Sequence, residues 1–537
     1  MAAATPWRPL ASLLTHSARL AAAPAPPALL PSSARLFSTA GLGCTCTARS
    51  QQLAAWRTRA GEARRGLATS RSDGAVFAAL RQRNQRLQAS PVDLMRQRVA
   101  LSSRHQSTVA AVPSSAAVSS PASSASAADI DPPEPTLTTP GVARYLFLVG
   151  ALVFAIVVVG GMTRLTESGL SITEWNVIKG VKLPLTRAEW EEEFEKYRHT
   201  PEWKINNQHM TVDDFKKIYM WEWSHRILGR IIGTVFLLPL PYFIYKNKLA
   251  KGASVALFGI ATLIGGQGAL GWYMVKSGLD QKSVDELGGV PRVSQYRLAA
   301  HLGMAFLVYA ACLRMGWGIG RDWKLVKKAQ GLAGWKTVEQ TLAGLNNPVV
   351  GRARVALTVV SGLVFLTALS GAFVAGLDAG LIYNEWPTMG GGFSPGMDEL
   401  NKDFYCRKAD KSDRWRNVTE NPTTVQFDHR MLAYTTFTSI LTLFLWARRP
   451  SVKPHLSPTT YRLIKGSLHM ATLQAVLGIT TLLYLVPTHL AATHQAGSLV
   501  LLSLVLAAGA SVRRPGKVAR EVLKLQRIRA KAAQIKA

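Results

Sequence analysis

The sequence predicts an all-α integral membrane protein, with eight transmembrane helices arranged as two pseudo-symmetric four-helix bundles. Three observations carry that prediction: eight apolar stretches of spanning length, connections that alternate in charge, and a second half that repeats the first. The 537 residues are 48% hydrophobic, but that average mixes a polar first quarter with long apolar runs, so the segments are read one by one.

Residues 1–106 have the profile of a mitochondrial transit region. From 1 to 129 there are fifteen Arg, no Lys and four acids, Glu62, Asp73, Asp93 and Asp129. That Arg-rich, acid-poor composition without a continuous apolar core marks import rather than secretion. Cleavage near Arg35-Leu36-Phe37 and cleavage near Arg64-Arg65-Gly66 both fit, and a disordered basic tail is the alternative. Residues 107–140, rich in Ser, Ala and Pro, read as an unstructured linker. The net charge of +31 is concentrated in the presequence, in alternate loops and at the C-terminus. No interleaved basic and aromatic module occurs, so the charge speaks for import and membrane orientation and against a nucleic-acid partner. Of four cysteines, Cys44 and Cys46 lie in the presequence, while Cys312 and Cys406 are far apart without metal-ligand spacing.

Spans are expected near 142–162, 220–245, 253–275 and 295–317, forming an N-terminal half over 141–317. Those near 353–376, 425–447, 461–486 and 489–511 form a C-terminal half over 353–511. The second and sixth open on polar residues, which blurs their starts. Between the halves lies a loop, 318–352, and after them a basic tail, 512–537. The connections 246–252, 318–354 and 448–462 carry three, seven and four basic residues against none, two and no acids. The opposite connections, 163–218 and 377–424, carry nine basic against ten acidic residues and six against eight. The positive-inside bias therefore places both termini in the mitochondrial matrix, with the membrane being the inner one.

The repeat is ordered. Gly160-Gly161, Ser168-Gly169-Leu170 and Glu174-Trp175 are echoed by Ser370-Gly371, Asp378-Ala379-Gly380-Leu381 and Glu385-Trp386. Ser224-His225-Arg226 matches Asp428-His429-Arg430, Gln267 to Gly271 matches Gln474 to Gly478, and Ala299-Ala300-His301 matches Ala492-Thr493-His494. With four spans per half the repeats are parallel.

His225, His301, His429 and His494 all fall near the starts of even-numbered spans, at one depth on the intermembrane side. An ionisable residue inside a span points to function, and two imidazoles facing a common axis in an apolar bundle are a means of gripping haem iron. A lone histidine would more simply hydrogen-bond across helices, but four in register across a repeat argue for one haem site per half. His469 and His489 are not repeated and read as an interhelical hydrogen-bonder and an interfacial residue. Arg226 and Arg430 suit either a haem propionate or a loop partner. Glu222 lies one helical turn before His225, where the C-terminal half has Gln426. A carboxyl there can move protons or stabilise a cation, an amide cannot, so reaction is assigned to the N-terminal half and a resident cofactor to the other. The alternative for Glu222 is a water-facing acid favoured by the helix start.

The runs Gly160 to Ser171, Trp221 to Arg230, Gly371 to Gly380, Val425 to Arg430 and Thr493 to Gly497, with Tyr383-Asn384 and Trp386-Pro387, closely resemble haem A synthase of the mitochondrial and alpha-proteobacterial type. The resemblance spans about 141–511. Some bacterial relatives carry a cysteine pair in the first outer loop, and residues 163–218 contain none. The resemblance implies oxidation of the C8 methyl of haem O to the formyl group of haem A, by successive hydroxylations, for cytochrome c oxidase. It implies a permanent haem b on His429 and His494, the substrate haem between His225 and His301, and Glu222 beside it. No nicotinamide or iron-sulfur motif occurs, so electrons are expected from a ferredoxin-type donor. Membrane lipid, haem O synthase, cytochrome c oxidase assembly factors and a second copy of the chain are the other expected partners. A transmembrane electron-transfer cytochrome and a non-catalytic haem carrier are the rival classes; the first commonly stacks haems at different depths, and the second needs no Glu222 asymmetry.

Overall fold

The computed structural model describes residues 135–176, 180, 182–280 and 292–536. The expected transit region, both candidate cleavage sites and the linker as far as 134 lie outside them. Within them the chain is helical: α1 Pro140–Leu165, α2 Arg187–Arg198, α3 Pro201–Asn206, α4 Val212–Leu237, α5 Pro239–Tyr245, α6 Ala253–Gly278, α7 Gln295–Lys328, α8 Gly331–Asn346, α9 Pro348–Gly376, α10 Pro422–Ala447, α11 Pro458–Leu483, α12 Thr488–Ser511 and α13 Lys517–Lys536.

Local chemistry sets many of the helix starts. A hydroxyl or amide residue followed by Pro opens α3, α9, α10 and α11: Thr200, Asn347, Asn421 and Ser457 each accept a hydrogen bond from a backbone N–H in the first turn. Pro at the next position loses nothing, because its missing N–H would have no helical partner there. In the outer loop, Thr186 and Glu189 form a reciprocal cap at the start of α2.

Seven described helices are long and apolar enough to cross a membrane: α1, the α4–α5 pair, α6, α7, α9, α11 and α12. The remaining long helix, α10, has the same 26-residue length as α11 but carries Asp428, Arg430 and a run of threonines, which lowers its apolarity. It is nonetheless built into the same mass of helices. α1 packs on α4 and α7, and α6 leans on α7; in the second half α9 packs on α10 and α12, and α11 on α10 and α12. The halves meet where α7 lies on α9 and α12, and where α1 lies on α12. That seam carries polar stitches: Gln495 donates to the Val157 carbonyl at 3.1 Å, and the Tyr309 and Ser503 hydroxyls meet at 2.7 Å. At its outer end Arg164, closing α1, pairs with Asp378 after α9 at 2.8 Å.

Two stretches expected as connection and tail are helical. α7 runs on to Lys328, α8 occupies most of the 318–352 loop, and α13 occupies most of the 512–537 tail. Val326, Trp335, Val338, Val522, Leu523 and Ala530 form a core of their own, separate from the membrane-spanning one. The high charge of these segments hides an apolar stripe at helical spacing. Several of their basic residues also have a structural task. Arg354 donates to the Val512 carbonyl at 2.8 Å, and Arg321 to the Ala510 and Arg513 carbonyls, so cations close the C-terminal end of α12. Cys312 is buried and Cys406 half-buried, and both are free thiols.

Trp335→Ala removes the largest side chain of this small core and is expected to cost about 3–5 kcal/mol locally. Limited proteolysis of the detergent-purified protein should then cut faster within 331–346 and 517–536, with the membrane-spanning core unaffected; unchanged protection would contradict the separate core.

Candidate functional site

The four histidines come together in two pairs. His225 on α4 and His301 on α7 have ring centroids 6.3 Å apart, with planes crossing at 73°. Two imidazoles bound to one metal at about 2 Å each would stand roughly 6 Å apart between centroids, each ring free to turn about its own metal–nitrogen axis. His429 on α10 and His494 on α12 are near enough to interact electrostatically. His301, His429 and His494 sit about two turns into their helices. His225 departs from the expected position near the helix start: α4 begins at Val212, in the outer loop, so nearly four turns (about 20 Å) precede it.

Each imidazole rests against a glycine of a neighbouring helix. A Cβ on Gly160 of α1 would stand 3.2 Å from His225 Nε2, and one on Gly271 of α6 would stand 3.5 Å from His301 Cε1. In the second half a Cβ on Gly371 of α9 would stand 3.2 Å from His429 Cε1, and one on Gly478 of α11 would stand 3.1 Å from His494 Cε1. At Gly160, Gly371 and Gly478 an added Cβ would crowd the ring by a few tenths of an ångström, and at Gly271 it would meet the ring at ordinary contact distance. These glycines are among the repeat markers of the sequence, and each lets a buried imidazole lie close against the neighbouring helix. The Nδ1 atoms of His301 and His494 are buried without a partner. Paired rings and glycine cradles together fit a flat metal macrocycle held in each half.

One hydrogen bond differs between the halves. The Ser370 hydroxyl donates to the Thr367 carbonyl at 2.8 Å and lies 2.7 Å from His429 Nδ1, so it accepts the Nδ1 proton. That sets the tautomer and leaves the Nε2 lone pair for a metal. The matching residue against His225 is Val159, which has nothing to offer an imidazole. Sequence reasoning passed over this serine, although it stands beside a repeat glycine.

Glu222 is buried, 2% exposed, and its carboxylate is fully engaged. Oε2 accepts from the Ser171 hydroxyl and the Ile172 amide, both at 2.8 Å, and Oε1 accepts from Arg226 at 2.6 and 3.0 Å. Arg226 also donates to the Ile172 and Glu174 carbonyls and lies over the Trp175 ring. The second half repeats the device with an amide: Gln426 donates to the Ala379 carbonyl at 3.0 Å, and Arg430 to those of Tyr383, Glu385 and Thr388. Both arginines thus bind the connection that follows the first span of their half. The reading of Glu222 as a water-facing acid fails on its burial. His469 and His489 are exposed on their helices, so His469 does not hydrogen-bond across helices as expected.

The cytochrome oxidase assembly protein family matches residues 143–506, a stretch that includes all four histidines and Glu222. Heme A synthase COX15 of Saccharomyces cerevisiae is 46% identical over 389 residues, 72% of this chain and 78% of that protein. Heme A synthase COX15 of Homo sapiens is 44% identical over 365 residues, 67% of this chain and 80% of that protein. A bacterial relative, Heme A synthase of Nitrosospira multiformis, is 44% identical over 373 residues, 70% of this chain and 94% of that protein. A match that spans both histidine pairs, at this identity and coverage, means that the chain belongs to the haem A synthase family of cytochrome oxidase assembly proteins, oxidoreductases that convert haem O to haem A.

Proposed function

We propose that the two halves divide the work: the first binds haem O and directs oxidation of its C8 methyl to a formyl group by successive hydroxylations, and the second keeps a permanent haem b. The observation that carries this is the matched pair of glycine-cradled histidine sites that differ in their neighbours. His429, oriented by Ser370, and His494 would hold the resident group. His225, which has no such hydroxyl, and His301 would flank a substrate that has to enter and leave. Haem iron supplies the redox chemistry when bound; the chain supplies position and charge. Glu222 and Arg226 hold residues 171–175 over the outer end of the first site, and the Glu222 carboxyl lies one turn from His225, where a cation would develop.

In this reading all eight long helices, α10 included, cross the mitochondrial inner membrane as two four-helix bundles, with both termini in the matrix. The relative from Schizosaccharomyces pombe, 47% identical over 368 residues, is named a Heme A synthase-mitochondrial ferredoxin fusion protein. That name supports a ferredoxin-type donor acting on the matrix side. Haem O synthase upstream, cytochrome c oxidase assembly factors downstream and a second copy of the chain complete the proposed set of partners.

The direct test is chromatography of haems extracted from cells lacking their own haem A synthase. Expression of this chain should make haem A appear at the expense of haem O, and haem O without haem A would overturn the reading. Glu222→Gln copies the second half's own residue: its amide oxygen can still accept from Arg226, while its NH2 cannot accept from the Ile172 amide as Oε2 does. It should leave the haem b spectrum intact while haem A formation slows by about 10²- to 10⁴-fold, the range of a positioned acid-base or charged group. Normal output from that variant would reduce Glu222 to the clamp alone. For topology, protease added to mitoplasts should spare tags at the C-terminus and within 331–346 and digest one near Asp398; the opposite pattern would invert the orientation.

A further inference from the structure

The first outer loop contains a buried acid that the scheme above does not use. Glu202, on the short helix α3, is 4% exposed in a connection that otherwise faces water. It is set against an aromatic core made by Phe194, Tyr197, Phe215 and Tyr219. One side of the carboxyl meets the Tyr197 hydroxyl, which in turn accepts from Asn207 at 2.7 Å. The other oxygen, Oε2, is buried with no partner, and so is the indole N–H of the next residue, Trp203. Open buried polar groups of this kind are what ordered water satisfies.

The charges around Glu202 are negative. Glu222 on α4 and Glu167, just after α1, both act on it, Tyr197 of α2 is its neutral hydrogen-bond partner, and Glu222 is itself balanced by Arg226. Burial first, then those two carboxylates, push the Glu202 carboxyl up to about 8. It therefore carries a proton at the pH where an ordinary glutamate has lost one.

We propose that Glu202 is a proton-relay acid of the N-terminal half, passing a proton from the outer aqueous face to the buried hydrogen-bond network around Glu222. The step is a simple transfer. The Glu202 O–H bond breaks as its proton moves to a bridging water, that water passes one of its own protons to the Glu222 carboxylate, where an O–H bond forms, and water at the outer face restores the proton to Glu202. No electrons move. The proposal rests on the reading that chemistry takes place in the first half, and it names the residue through which that half exchanges protons.

Titration followed by infrared difference spectroscopy in H₂O and D₂O tests this on the full-length protein, independently of turnover. A protonated carboxyl band should titrate near pH 8 in the wild type and be missing in Glu202→Gln. Haem A formation in the wild type should fall as pH rises through that value, because the acid form is the donor. In Glu202→Gln the rate should be at least about tenfold lower and lose that limb, at unchanged haem b content. A band that persists in the variant, or a wild-type pH profile retained by it, would overturn the relay. Should Glu202→Gln fail to fold, Glu202→Asp, which keeps a titrating acid, should shift the band and the limb together; a shift of neither contradicts the proposal. Haem A formed by the wild type in the same preparation keeps a failure here distinct from a failure of the function itself.

Discussion

The constraint on which the rest of the site depends is steric: each imidazole stands inside the helical bundle where the facing helix presents a glycine. Helices pack at about 8–10 Å, too close for two full-sized side chains and a ring at one level. Gly160, Gly271, Gly371 and Gly478 remove one of the competitors at each of four levels. The histidines then face inward, and the polar cost of placing them in a span is recovered only if their nitrogens find partners. Ser370 is one such partner for His429 Nδ1, which leaves Nε2 of that ring for a metal.

A second layer of interactions fixes the outer loops over those pairs. The buried Glu222–Arg226 ion pair and its Gln426–Arg430 counterpart do the same mechanical work, gathering backbone carbonyls of the loop onto the helix that carries the first histidine of the half. Breaking one member of a buried ion pair leaves the other uncompensated, at about 3–5 kcal/mol, yet the second half shows that an amide can serve beside the arginine. The carboxylate in the first half is therefore more than a fastener. Burial first, and then this carboxyl together with Glu167, push the Glu202 carboxyl up.

Much of this was legible in the sequence, because a repeat registers constraints that both halves obey. The four histidines, the Glu222 and Gln426 difference and eight long stretches, the one at 425–447 included, could be read from spacing and apolarity; among the described helices seven are apolar enough to cross a membrane, and α10, diluted by threonines, packs among them. What escaped was whatever depends on contact across sequence distance. The glycines were visible as markers, but that each faces an imidazole is a fact of helix rotation and neighbourhood. Ser370 stands out only once its hydroxyl is seen against His429. The arginines kept two roles open because a carbonyl partner carries no sequence signature. Likewise α8 and α13 were hidden under their charge, since their apolar stripe is short and its partner lies almost 200 residues away. Glu202 looks like one more acid in an acidic loop until its burial is known.

The division of labour is the central claim, and the haem content of the purified protein in histidine variants tests it most directly. The account predicts that His429→Leu and His494→Leu each deplete the resident haem b, and that His225→Leu retains it while losing the capacity to bind added haem O. Full haem b in the His429 and His494 variants together with its loss from the His225 variant would contradict the account and exchange the roles of the halves.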